Sequence, residues 1–148
     1  MVWASVAGTV ESVTDYTVVR ASQVTDYTGD APGALFGYGP ALSAEQLAVN
    51  LRVLAPHTAH VAPGVDPGRG HSHRTIEEIY FVLDGQLTIK LGEDVTTLGP
   101  RDAVRIAPDT PRAVRNDTDA EASFLLFSVR VVDHRAESTH HDDFWPAV

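Results

Sequence analysis

The chain has 148 residues and a mass of 15.9 kDa, enough for one domain with a single sizeable core. Twenty acidic against 11 basic residues give a formal charge of -9 and a pI near 5.0, a field that repels phosphate and argues against nucleic acid and anionic membranes as partners. No run approaches the roughly 18 apolar residues of a membrane span, the opening MVWASVAGTV lacks the basic start and apolar block of a secretory leader, and the absence of cysteine excludes disulfides, thiolate metal sites and cysteine nucleophiles, so a cytoplasmic protein is the default expectation.

Glycines and prolines punctuate short apolar runs, with no fixed-period repeat and no low-complexity tract, a pattern of many short strands. In chain order, residues 15–24 (DYTVVRASQV) are rich in β-branched side chains and are predicted as a strand. Residues 29–43 (GDAPGALFGYGPALS) read as a packed loop. Ser43, Ala44, Glu45 and Gln46 resemble a capping box one residue short, so at most a helical turn is expected to start there. Leu47, Val49, Leu51 and Val53 alternate with Ala48, Asn50, Arg52 and Leu54, which predicts a strand with one buried face. Residues 55–70 (APHTAHVAPGVDPGRG) form a long loop without periodicity.

From Ile76 the pattern is dense β. EIYFVL, then Asp84-Gly85, then QLTIKL is the strongest hairpin signal in the chain. Turns follow at Gly92-Glu93-Asp94, Gly99-Pro100, Pro108-Asp109 and Asn116-Asp117, separating the strands VTTL, AVRI, RAVR and ASFLLFSVRVV. Such regular spacing predicts a sandwich or barrel. The tail HRAESTHHDDFWPAV is polar until Phe144-Trp145, which are expected to dock on the body.

One cluster carries chemistry: His71-Ser72-His73, followed by Glu77-Glu78 and Gly85. On a strand, residues i and i+2 share a face, so His71 and His73 present two imidazoles side by side. Glu78 lies beyond a short turn at Arg74-Thr75; pairing of its strand with the histidine strand would bring its carboxylate to the two rings. Two imidazoles and a carboxylate form a three-ligand set for Fe, Mn, Ni or Zn with positions left open. Tyr80 and Val82 share the parity of Glu78 and are expected to line the interior, while Ile79, Phe81 and Leu83 face outward. The Tyr80 hydroxyl is the best neutral hydrogen-bonding candidate for a ligand.

At these residues the chain resembles the cupin superfamily, small all-β barrels of the jelly-roll type. Its first motif, G-x5-H-x-H-x(3,4)-E-x6-G, is matched by His71, His73, Glu78 and Gly85, with Gly64 one residue too early for the leading glycine. Its second motif, G-x5-P-x-G-x2-H-x3-N, falls on Arg101, Ala107, Asp109, Arg112 and Asn116, and only the asparagine is kept. The resemblance covers about residues 47–132. It implies a single domain over residues 1–148, with an N-terminal arm (1–46) and a C-terminal tail (133–148). It further implies a homodimer and a small-molecule ligand.

The departure from the second motif matters most. Arg112 stands where the resemblance implies a fourth metal ligand, sharing a face with Val114 and Asn116. A guanidinium cannot ligate a metal. At about 5 Å from a divalent ion it would cost on the order of 6 kcal/mol at an effective dielectric near 20. Two arrangements are consistent with this. In one, a metal sits on His71, His73 and Glu78, and Arg112 grips an anionic substrate; dioxygenation, isomerisation or decarboxylation of a small oxygenated molecule is what the resemblance then implies. In the other, Arg112 pairs with Glu78 or Glu77 and takes the metal's place, leaving a metal-free binding or sensing module. A purely structural role would leave the inward polar cluster without a use.

His57 and His60 are placed near the mouth, His134 stands alone, and His140-His141 lack a scaffold; all are expected at the surface. No phosphate loop runs from strand to helix, no nucleophile-elbow serine is present, and the basic residues are scattered.

Overall fold

The computed structural model describes residues 15–146, which form two antiparallel sheets. The elements run β1 (Ala34–Gly37), α1 (Tyr38–Ala41), β2 (Leu47–Leu54), β3 (Thr58–Ala59), β4 (Gly70–His73), β5 (Glu78–Asp84), β6 (Leu87–Leu91), β7 (Asp94–Leu98), β8 (Ala103–Ile106), β9 (Arg112–Asn116), β10 (Ala122–Val129), α2 (His134–Glu137) and β11 (Ser138–His141). One sheet has the order β1-β2-β10-β5-β8 and the other β11-β4-β9-β6-β7, with β3 on β9. This is the two-sheet sandwich expected from the strand spacing, and the jelly-roll that the resemblance implies. No helix among the described residues is long and apolar enough to cross a membrane.

Alternation builds the core. On β5, Tyr80 and Val82 are buried while Ile79 and Leu83 are exposed, as their parity predicts. On β9, Arg112, Val114 and Asn116 all face inward. Leu54, Leu87, Ile89, Ile106, Phe124 and Leu126 complete the packing between the sheets.

Several expectations are corrected. Residues 15–24 are not a strand; they hold only a 3-10 turn at Ala21–Gln23. The glycine-rich segment 29–43 is not merely loop, because β1 lies within it and pairs with β2 from Ala34↔Val53 to Gly37↔Asn50. The helical turn precedes Ser43 rather than starting there, and Ser43 itself adopts a positive φ of 55°. The first fourteen residues of the expected N-terminal arm lie outside the described residues.

Strand β2 is the expected strand, and its buried face is the one that carries Arg52 and Leu54. Arg52 and Leu54 are buried, whereas Leu47 is exposed. The Val49, Leu51 and Val53 face lies on the outer side, where Leu51 pairs with Phe36 and Leu125. Alternation fixes that two faces differ; it does not fix which one turns inward when both carry apolar residues.

The Asp84-Gly85 turn is not a hairpin. Strand β5 pairs with β10 and β8, and β6 pairs with β7 and β9, so this turn carries the chain between sheets. Gly85 has φ +73°, and a Cβ there would meet Glu121 O at 2.5 Å. The true two-residue hairpin is Gly92-Glu93, which joins Leu91↔Asp94.

Candidate metal centre and cavity

His71 and His73 project from β4, which β9 holds on one side through His71↔Arg112 and β11 on the other. Glu78 opens β5 in the opposite sheet, so the carboxylate reaches the imidazoles across the sandwich rather than along a shared ladder. The pairing of β4 with β5 anticipated from the sequence does not form; the convergence does. One donor atom from each of His71, His73 and Glu78 lies within 4.8 Å of the others, and His73 Nε2 is 3.5 Å from Glu78 Oε1.

The second carboxylate oxygen is engaged from behind. Arg112 Nη2 donates a short hydrogen bond to Glu78 Oε2, the Tyr80 hydroxyl donates to the same oxygen at 2.8 Å, and Arg112 Nη1 donates to Thr110 O at 3.1 Å. Arg112 and Tyr80 are each only 1% exposed. Arg112 was expected either to grip a ligand or to pair with Glu78 or Glu77, and it pairs with Glu78; Tyr80, a candidate to offer its hydroxyl to a ligand, gives it to the same carboxylate, and neither lines the open cavity. The reason is proximity: an ionised carboxylate facing the same interior is the strongest partner a buried guanidinium has.

The electrostatics follow from burial and these partners. Burial works to raise the Glu78 carboxyl. The hydrogen bond with His73, then the charge and hydrogen bond of Arg112, outweigh it and hold the group well below the usual carboxylate range. Burial first, then the Arg112 charge, lowers His71 to about 3. Burial, reinforced by Glu78, raises the Tyr80 hydroxyl, so it remains a donor.

No ion accompanies these residues, but the donor set fits one. At neutral pH His71 is an uncharged imidazole and Glu78 a carboxylate, the protonation states that ligation requires. Glu78 Oε1 remains directed toward His73 while Oε2 takes up Arg112. The Ser138 hydroxyl lies 3.2 Å from His73 Nδ1. It can accept from Nδ1–H; that tautomer would exchange the Nε2–H contact with Glu78 for an Nε2 lone pair open to a metal.

A cavity of about 450 Å³ opens above the two histidines, lined among others by Arg52, His60, His71, His73, Ser138 and His140. Four of these were not assigned to a site from sequence. His60 was expected at the surface; its ring packs edge-on to Phe124 at 5.5 Å and lies 6.4 Å from the rings of His71 and Tyr80. Burial, then the Arg52 charge, lowers it to about 4. Its placement comes from β3, which adds to β9, and from His60 N donating to Val114 O at 2.8 Å, a pairing no local pattern announces. Arg52 was given no face of β2 and no role, although a lone cation in an alternating strand was a usable signal. Ser138 and His140 arrive on β11, opposite His73 and His71. His141 is likewise scaffolded, with Nε2 at 2.9 Å from Ser72 Oγ. His57 stays at the surface beside Asp119, and His134 is exposed on α2. The tail aromatics dock as expected: Phe144 packs against Gly70, and Arg115 covers Trp145 at 3.7 Å.

The comparisons with known proteins agree with this architecture. The cupin domain model matches residues 57–128. No curated protein matches the chain. Among solved structures it is similar to a cupin protein from Bacteroides fragilis, at 24% identity and a TM-score of 0.61 over 80% of this chain and 87% of that one. It is similar to a sugar phosphate isomerase of the cupin superfamily from Silicibacter pomeroyi, at 21% identity and a TM-score of 0.61 over 78% and 80%. A predicted oxalate decarboxylase from Thermotoga maritima matches at 15% identity and a TM-score of 0.57, over 78% of this chain and all of that one. With His71, His73, Glu78 and Gly85 of the first motif in place on a two-sheet jelly-roll, residues 57–128 are a cupin domain.

Proposed function

We propose that this protein holds a divalent metal ion on His71, His73 and Glu78 and there receives a small, oxygenated, anionic organic molecule. The observation that supports this most is the convergence of the three donor atoms within 4.8 Å beneath an open cavity. An N2O donor set with free positions suits Fe, Mn, Ni or Zn. Bound there, the ion would act as a Lewis acid on a substrate oxygen. The chain's own residues do the rest. Arg112 and Tyr80 fix the carboxylate, Ser138 fixes the His73 ring, and burial keeps His71 uncharged. Isomerisation and decarboxylation, the activities given for two of the structural neighbours, and dioxygenation are the reaction classes to assay first. Metal analysis of protein purified without an affinity tag, with calorimetric titration of Mn, Ni, Zn and anaerobic Fe(II), tests the reading. One ion per chain, lost in His71→Ala, is expected; no affinity for any of the four ions refutes it.

The Arg112–Glu78 pair favours a second reading, a metal-free binding or sensing module. There Arg112→His creates metal affinity that the native protein lacks. We also propose that a second copy of the chain covers the outer face of the β1-β2-β10-β5-β8 sheet, where Ile79, Leu83 and Phe127 are exposed. A dimer by light scattering, converted to monomer by Phe127→Asp, is the expected result; a native monomer excludes it.

A further inference from the structure

Arg52 sits mid-way along β2, between Leu35 and Phe124 in the ladder, and is 5% exposed. It makes one hydrogen bond, from Nη1 to Ala34 O at 3.1 Å. Its Nε is buried without a partner, and it forms no ion pair among the described residues. Asp26 lies near enough to be felt, but its Oδ1 already accepts from Thr28 N, Thr28 Oγ1 and Leu35 N at 2.9, 2.8 and 3.0 Å. His60 Nδ1 is a second buried atom without a partner. Arg52 and His60 line the same cavity as His71 and His73.

The other cations near this cavity are matched. Arg112 is paired with Glu78, and Arg69 with Asp142 at 2.8 Å. Arg52 is therefore the guanidinium of the pocket without an ion-pair partner among the described residues, with the Asp26 carboxylate acting on it only from longer range. Tying β1 through one carbonyl does not account for a guanidinium there, since any neutral amide would make that bond. A buried unpaired cation is costly, and an anion received beside it reverses that cost. A carboxylate fits the fork of one guanidinium; its single negative charge also matches the single excess positive one, which a phosphate dianion does not.

We propose that Arg52, with His60 beside it, is the carboxylate-binding subsite of this cavity, and that the ligand is a small monocarboxylate whose remaining oxygen functions extend toward His71 and His73. This rests on the reading of the cavity as a small-molecule site. Isothermal titration of the native protein with lactate, its uncharged counterpart lactamide, and inorganic phosphate tests it, alongside Arg52→Gln and Arg52→Lys. Lactate is expected to bind at least tenfold more tightly than lactamide and more tightly than phosphate. Arg52→Gln removes that preference and Arg52→Lys keeps part of it. In native protein, the Arg52 Nε–H resonance should shift on adding lactate, a readout that survives if the variants fail to fold. Equal binding of lactate and lactamide, a preference for phosphate, or a stationary Arg52 resonance overturns the subsite while leaving the cavity reading intact. Failure of all three probes to bind removes both.

Discussion

Lowering the pH from 7 to 5 loads the unfolded chain with protons that the folded chain refuses at His60 and His71. Both rings are half-buried, His60 beside Arg52 and His71 beside Arg112, with Glu78 as the acid facing both and His73 flanking His71. Their folded values, about 4 and about 3, lie below the ordinary 6.5. The unfolded state therefore binds more protons, and stability falls as pH falls. At pH 5 both folded rings are still neutral while the unfolded ones are almost fully charged. Each ring then contributes a loss of about 2 kcal/mol between pH 7 and 5, set by the unfolded value alone. Two rings give about 4 kcal/mol, a large part of the roughly 5–15 kcal/mol that stabilises a domain. Glu78 stays outside this window: its folded pKa is depressed, so its contribution is present above the ordinary 4.5 and is lost only below it.

The assay is urea unfolding at pH 7 and pH 5 in the presence of a chelator, because a bound metal would add its own proton linkage. Native protein should lose about 4 kcal/mol across the interval and His60→Gln about 2, a difference of roughly 1 M in midpoint at a slope near 2 kcal/mol/M. Identical pH dependence of the two proteins would falsify the placement of His60 as a half-buried neutral ring.

Three further outcomes follow from the same geometry. Glu78→Leu strands the 1% exposed Arg112 without its partner and should cost about 3–5 kcal/mol, whereas Glu78→Leu with Arg112→Met should recover most of it, read by calorimetry. Gly85→Ala places a Cβ 2.5 Å from Glu121 O at φ +73°, so it should lose about 2 kcal/mol or more; Gly92→Ala, at φ +56° with open space around it, should lose only about 1 kcal/mol. Ser138→Ala frees the His73 ring and should weaken Zn affinity about tenfold with little change in urea midpoint, whereas unchanged affinity would exclude a positioning role.

The legibility of this chain in its sequence divides along a physical line. Period-two alternation is local, so β5 and β9 were readable to the face, Tyr80 and Val82 inward against Ile79 and Leu83 outward. The H-x-H pair was readable because strand geometry alone sets its two rings on one side. What failed was pairing. Asp84-Gly85 has the chemistry of a hairpin turn, but the strands it joins enter different sheets. Strand β1 hides in a glycine-rich segment because its stability comes from β2, not from its own composition. His60 and Ser138 reach the site through β3 and β11, whose partners lie more than fifty residues away in the chain. Each missed residue is thus held by a non-local ladder that its own neighbourhood does not encode.

The arginine in the place of a fourth ligand changes the electrostatics of the centre more than its geometry. Glu78 divides its two oxygens, Oε2 to Arg112 and Oε1 toward His73. An ion arriving at Oε1 therefore meets a carboxylate–guanidinium pair of zero net charge, not a bare cation and not a free carboxylate. The repulsion expected of an isolated Arg112 is offset, but so is much of the attraction a free Glu78 would supply. The resulting centre, with an uncharged His71 and a neutralised acid, would leave a bound divalent ion with nearly its full charge, and Arg52 adds one more positive charge to the cavity. An anion that reaches both the ion and Arg52 should tighten metal binding, and by linkage the metal should tighten the anion by the same factor.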